Sequence, residues 1–215
     1  MNKLKTERIT VIFTTLLCFI PMIAGILLWN ALPDQIPSHF NFSGAVDGYS
    51  GKGFIVFGFP LMMVGVQLLC AVGTAYDPKE EGVSNRIYRA ILWIVPITTL
   101  IVFAGIYGFV FHVGPDINLL VRVMMGILFI FFGNYMPKVR QNTTVGIKIP
   151  WTIHDAENWN RTHRLAGYLY LMCGFVILFG IFLPEDIAVK SMIIAIVVTA
   201  VFPIIYSFQI YRKSL

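Results

Sequence analysis

The chain is short of charge. Only 13% of its 215 residues are Asp, Glu, Lys or Arg, against about 25% in a soluble domain. That deficit excludes a water-solvated globule, because too few charges remain to cover one. Cysteine is also scarce: Cys18, Cys70 and Cys173 each lie inside an apolar run, and no CxxC occurs. An odd, dispersed set argues against a disulfide framework or a zinc knuckle and leaves small packing residues. GxSxG, HExxH and P-loop patterns are absent too, so no familiar hydrolase or nucleotide site is signalled.

What the chain has instead is apolar length. Hydrophobic residues make up 57% of it, and the mean hydropathy is +0.77. A membrane-spanning helix needs about 20 mostly apolar residues. Six runs supply them, at roughly 9–31, 54–76, 90–112, 118–136, 165–183 and 188–210. Lipid offers no partner to an unpaired backbone group, and continuous runs rather than alternation select helices. The first run is too long for a signal-peptide core, so it reads as a retained helix. The expected fold class is all-α: a polytopic membrane protein built as a six-transmembrane-helix bundle.

Thirteen of the 16 Lys and Arg residues fall on one side of these spans, and Lys52, Arg122 and Lys190 fall on the other. The positive-inside rule then places both termini in the cytoplasm. A basic inner rim follows from topology and anionic lipid, so a pI of about 9.2 gives no reason to expect direct nucleic-acid contact. Within the spans, Arg122 is expected to snorkel to the outer interface, and Gln67 to pair with a neighbouring helix. Pro21, Pro96 and Pro203 predict kinks. Gly65 with Gly73, and Gly174 with Gly180, predict flat helix contacts.

The organisation reads as residues 1–76, two helices joined by an extracellular loop over 32–53, followed by residues 77–215, four helices with a cytoplasmic loop over 137–164. The outer loop, LPDQIPSHFNFSGAVDGYSGKG, starts extended between Pro33 and Pro37. It alternates apolar and polar residues before two turn signals, Ser43-Gly44 and Asp47-Gly48, the second favouring a tight hairpin turn. A short hairpin-like loop results, with Phe40, Phe42 and Tyr49 at headgroup level. His39, Asn41 and Asp47 form a small polar group, yet only His39 and Asp47 are good metal ligands, short of the three or four a metal needs.

The inner stretch, NTTVGIKIPWTIHDAENWNRTHRLAG, is dense in polar residues. Thr152 and Asp155 have the spacing of a capping box, which predicts a short amphipathic helix from Thr152 along the inner interface. Trp151 and Trp159 would anchor it, and Glu157 and Arg161 form an i,i+4 pair. Asp155, Trp159 and His163 share a stripe, so His163 pairs with Asp155 or with a backbone group. His154 and His163 are nine positions apart and point to opposite faces, unlike a metalloprotease pair.

GNYMPKVRQNTTVGIKIPWTIHDAENWNRTHRLAG, residues 133–167, resembles the signature of the SdpI family of bacterial membrane immunity proteins. The outer segment resembles the uncharacterised N-terminal element often fused to it. The family pattern falls on Gly133, Asn134, Pro137, Asn142, Gly146, Pro150, Trp151, Trp159, Thr162 and His163, with one departure at Lys148. The family sequence G-I-R-T-P-W becomes Gly146-Ile147-Lys148-Ile149-Pro150-Trp151 here, and Lys keeps the charge of Arg without its planar fork. The resemblance implies resistance to a secreted toxic peptide that acts on the membrane. It also implies signalling, in which the protein holds a small DNA-binding autorepressor at the membrane. On this reading His39, Asn41, Asp47, Gly48 and Tyr49 are toxin-contact candidates, and the motif residues from Asn134 to His163 are signalling candidates. Beyond lipid, peptide and repressor, neither a cofactor nor a metal is implied, and no enzyme activity. A peptide transporter or exporter, or a membrane-embedded hydrolase, remains the alternative. The acid-base groups lie on two faces separated by about 30 Å of bilayer, so no single site can use them all.

Overall fold

The computed structural model describes residues 3–41, 44–77 and 83–213; Phe42 and Ser43 lie outside the described residues. Among the described residues, six helices long and apolar enough to cross a membrane run over Arg8–Leu27, Phe54–Ala75, Asn85–Val110, Ile117–Lys138, Ala156–Phe182 and Glu185–Lys213. The polytopic all-α fold read from the apolar runs is therefore present. A two-stranded antiparallel hairpin, β1 (Gln35–Phe40) and β2 (Val46–Gly51), joins the first two spans.

Three spans break their α-helical pattern about one turn before a proline. The first is interrupted between Leu17 and Ile20, ahead of Pro21. The second opens with a π-helical turn over Phe54–Gly58, ahead of Pro60, and the third breaks between Leu92 and Ile94, ahead of Pro96. Proline supplies no N–H to the carbonyl four residues earlier, and its ring crowds that carbonyl. Pro203 sits inside the last helix without interrupting it.

The chain packs as two compact units. The first takes the chain up to Ala75 together with Tyr88–Val121, and the second takes Tyr76–Ile87 together with the chain from Arg122 onward. In the first unit, Leu32, Ile36, Ile55, Val56, Phe103 and Ile106 make one buried apolar cluster, so the foot of the hairpin is tied to the second and third spans. Lys52 reinforces this foot: its ammonium donates to the carbonyls of Leu32 at 3.0 Å and Trp29 at 3.3 Å, and lies 5.0 Å from the Trp29 ring centroid. Gln67 pairs across helices as expected, donating from Nε2 to Thr14 Oγ1 at 2.8 Å and to the Leu92 carbonyl at 3.0 Å. Leu92 is the residue four before Pro96, so Gln67 covers the carbonyl that the proline leaves bare. Arg89 grips the buried carboxylate of Glu7 with two hydrogen bonds, of 2.6 and 2.9 Å.

In the second unit the fourth and fifth spans cross on glycines. A methyl group on Gly126 would lie 3.2 Å from the Gly174 carbonyl oxygen, and one on Gly133 would lie 2.9 Å from that of Gly167. The two pairs are seven residues apart on each helix, two turns, which sets one antiparallel register. Gly174 thus contacts a helix as expected, but its partner on the facing helix is Gly126. Gly65 and Gly73 face open space, with nothing within 4 Å of a built Cβ. Arg122 is 7% exposed and pairs with Glu185, the first residue of the sixth span, so its charge finds a carboxylate at a span end.

Candidate functional site

Two arrangements of polar residues stand out, one in each unit. The first is the hairpin. Its turn is built on Asn41 and Gly44. The Asn41 side chain accepts from Ala45 N–H at 3.0 Å, and Gly44 sits at φ +77. Asp47-Gly48 lies inside β2, which corrects the tight turn expected there. Registry passes from His39↔Gly48 to Phe40↔Val46, so Asp47 falls in a bulge. The bulge turns the Asp47 carboxylate onto His39 Nδ1. Gly48 is required by closeness, since a Cβ there would come within 2.9 Å of the His39 Cβ.

Along β2, Asp47 and Tyr49 are exposed while Val46, Gly48 and Ser50 are partly covered. His39 is exposed on β1, whereas Ile36 and Pro37 are buried and Phe40 packs edge-on against Phe109 at 5.2 Å. Of the five candidates, His39, Asp47 and Tyr49 thus present side chains to the surroundings; Asn41 holds the turn and Gly48 supplies the clearance. Phe42 lies outside the described residues.

The second arrangement is the loop between the fourth and fifth spans. It is a folded cap. Asn142 is fully buried at its centre. Its Nδ2 donates to the carbonyls of Arg140 at 2.8 Å and Val145 at 2.9 Å, and its Oδ1 accepts from the N–H groups of Thr144 at 2.8 Å and Val145 at 2.7 Å. Asp77, from the short segment of the second unit that precedes the third span, accepts from Thr143 N–H at 2.9 Å and the Thr144 hydroxyl at 2.6 Å. Gly146, at φ +123, brings the chain flat against His163 and Trp159. Ile147 N–H then donates to His163 Nε2 at 3.0 Å. That bond puts the ring proton on Nδ1, which donates to the Trp159 carbonyl at 2.8 Å. The Trp159 and His163 rings stack at 4.0 Å, and the Trp159 indole N–H donates to the Val139 carbonyl at 2.9 Å.

Several expectations for this stretch are corrected. Thr152 does not cap the long helix. Its hydroxyl donates to the Ile147 carbonyl at 2.8 Å and accepts from Ile149 N–H at 3.1 Å, inside a short helix over Pro150–His154. Asp155 is the true N-cap, with Oδ1 accepting from Glu157 N–H at 2.8 Å and Asn158 N–H at 3.0 Å. The helix that follows is the fifth span itself, begun at Ala156; it is not a separate interfacial helix. Trp159 is therefore buried and not an interfacial anchor. His163 takes the second of its two expected partners, backbone, on both sides of its ring. Trp151 stacks on Tyr211 at 5.7 Å and tilts against Phe208 at 5.4 Å, both on the last span. The Glu157–Arg161 pair forms, at 3.4 Å.

The structure therefore gathers Asn142, Gly146, Trp159 and His163 into one buried knot. Pro150 starts the short helix, and Pro137 packs on Gly167. Thr162 joins a buried polar cluster: its hydroxyl donates to Asn158 Oδ1 at 3.0 Å, Ser207 donates to the same oxygen at 2.8 Å, and Asn158 Nδ2 donates to the Ser207 carbonyl at 3.0 Å. Lys148 and Asn134 stay exposed; Lys148 donates to the Thr143 carbonyl at 3.3 Å, and Asn134 accepts from Lys138 at 2.8 Å. Gln141 Nε2 donates to the carbonyls of Thr152 at 2.9 Å and Ile153 at 2.8 Å. Asp77, Gln141, Asn158 and Ser207 were not singled out in the sequence. Only Asn158 carried a signal, one turn before Thr162; the others meet partners distant in sequence. Among the described residues, no three His, Cys, Asp or Glu side chains cluster closely enough to hold a metal ion.

Residues 138–207 match the model of the SdpI/YfhL protein family, and residues 16–64 match a domain of unknown function, DUF1648. Over 206 residues the chain is 25% identical to "Immunity protein SdpI" of Bacillus subtilis (strain 168), a match that covers 94% of this chain and 96% of that protein. No solved structure matches the chain. The resemblance read from the two motifs is borne out as a similarity: the stretch that matches DUF1648 holds the hairpin, and the stretch that matches the SdpI/YfhL family holds most of the cap. With six spans and this similarity, the chain is a multi-pass bacterial membrane protein.

Proposed function

We propose that this chain, which joins a DUF1648 segment to an SdpI segment, is an immunity protein that protects its cell from a secreted membrane-active peptide. The observation that carries the reading is the similarity to an immunity protein along nearly the whole of both chains. The hairpin face is the receiving surface. His39, Asp47 and Tyr49 stand exposed on a bulged hairpin whose foot is fixed in the unit's apolar core, so the contact groups are held in place before a ligand arrives. The hairpin faces outward and both termini face the cytoplasm, which the distribution of Lys and Arg supports.

The cap is the signalling surface in the same proposal. Its backbone is fixed by Asn142, Gly146 and His163, and its exposed rim offers Lys148 to a small DNA-binding repressor. Protection is non-enzymatic in this reading: the exposed His39–Asp47 pair serves recognition.

The test is survival and reporter output in toxin-sensitive bacteria that express the chain at matched membrane levels. Asp47→Ala is expected to abolish protection, and Lys148→Gln to preserve it while lowering induction of a repressor-controlled reporter. Trp159 is unsuited to this comparison, because its burial makes it a folding residue. Full protection by Asp47→Ala, with wild-type protein protective, would remove the hairpin from the recognition surface.

A further inference from the structure

A second polar feature lies where the fifth span begins and the sixth ends. Asp155, Glu157, Arg161, Tyr206, Gln209 and Lys213 line a cleft of about 230 Å³. Its charges balance, two carboxylates against two cations, and its place at two span ends puts it at headgroup depth. An exposed apolar track continues from it. On the fifth span Tyr168, Met172 and Phe175 follow Arg161 at helical spacing and are 63%, 67% and 61% exposed. On the sixth span Phe202 lies one turn from Tyr206 and is 56% exposed. A zwitterionic cleft that opens onto an apolar track is complementary to a zwitterionic amphiphile.

We propose that this cleft binds the headgroup of a phospholipid that carries a primary amine, with one acyl chain along Tyr168 and Met172. Arg161 and Lys213 hold the phosphate, for which the guanidinium fork is suited. Glu157 accepts from the ammonium group and already stands 3.4 Å from Arg161. A choline headgroup has no N–H to donate to Glu157, and an anionic glycerol headgroup brings no cation to it. The site is independent of the immunity reading, since it recognises the membrane itself.

The experiment is native mass spectrometry of the full-length purified chain, offered an equimolar mixture of dioleoyl phosphatidylethanolamine, phosphatidylcholine and phosphatidylglycerol. The wild type is expected to retain phosphatidylethanolamine about five-fold over the other two, the effect of one hydrogen bond of ordinary strength. Glu157→Gln is expected to erase the preference over phosphatidylcholine, and Arg161→Gln to lower retention of all three lipids. Both side chains are largely exposed, so each variant is checked for an unchanged thermal midpoint. Lys190→Gln, at the opposite end of the sixth span, is expected to change nothing. Equal retention of the three lipids, a preference that survives Glu157→Gln, or an equal effect of Lys190→Gln would each overturn the assignment.

Discussion

Replacing Gly146 by Ala tests the folded cap most directly. Two costs fall together there. The backbone sits at φ +123, a region essentially reserved for glycine, and holding Ala in it costs about 1–3 kcal/mol. The new methyl would also lie 3.0 Å from the Trp159 ring and nearer still to His163 Nε2. The imidazole must then move off Ile147 N–H, now 3.0 Å away, and a buried N–H left without a partner costs about 1–3 kcal/mol. The two overlap, so the expected sum is about 3–5 kcal/mol. Gly114→Ala separates the terms. Gly114 also has positive φ, at +98, but nothing lies within 4 Å of a Cβ built on it, so only the strain remains, about 1–2 kcal/mol. Gly65→Ala, in an open helical position, is expected to be neutral or stabilising by up to ~1 kcal/mol. The assay is unfolding in mixed micelles by SDS titration, followed by tryptophan fluorescence and far-UV circular dichroism. Equal shifts for Gly146→Ala and Gly114→Ala would refute the reasoning, because the His163 and Trp159 contacts would then contribute nothing.

Gln67→Leu is expected to cost about 1–3 kcal/mol, because it uncovers the Leu92 carbonyl in an apolar surrounding. Pro96→Ala restores a backbone N–H to that carbonyl, so the double variant should recover most of the loss in the same SDS titration; strict additivity would show that Gln67 does not cover the carbonyl. At Glu7, the hydrogen bonds from Arg89 hold the carboxyl below its ordinary 4.5, against the opposing effect of burial. A lowered folded-state value means that the contribution is present above about pH 4.5 and is lost as pH falls through the folded-state value. As pH falls below about 4.5, the unfolding midpoint of the wild type should therefore drop more steeply than that of Glu7→Gln; parallel curves would exclude this linkage.

The six spans were legible because lipid imposes a local rule. Every backbone group must be satisfied within its own helix, so each span announces itself as an apolar run, and that needs no knowledge of partners. The hairpin was legible for a similar reason, from prolines, alternation and turn residues. Its Asp47-Gly48 pair was misplaced because the same dipeptide suits a tight turn and a bulge, and the cross-strand registry with His39 decides between them. The fifth span began nine residues earlier than its apolar run. Asn158, Thr162 and His163 are polar, yet each is satisfied by a partner that hydropathy cannot see: Ser207 on the last span, the Ile147 amide in the cap.

By itself, then, the amino-acid order determined the class of molecule, the number of spans, the hairpin and the presence of a dense polar segment between the fourth and fifth spans. These depend on neighbours within a few turns. Only the tertiary structure decided which polar residues face outward. His39, Asp47 and Lys148 stay available, while Trp159, His163 and Asn142 are consumed in holding the cap, and Arg122 is paired with Glu185. The reason is physical: a buried polar group must find its hydrogen-bonding partner in space, and a partner such as Val139 for Trp159 or Thr143 for Asp77 stands many positions away in the chain and carries no mark in the sequence.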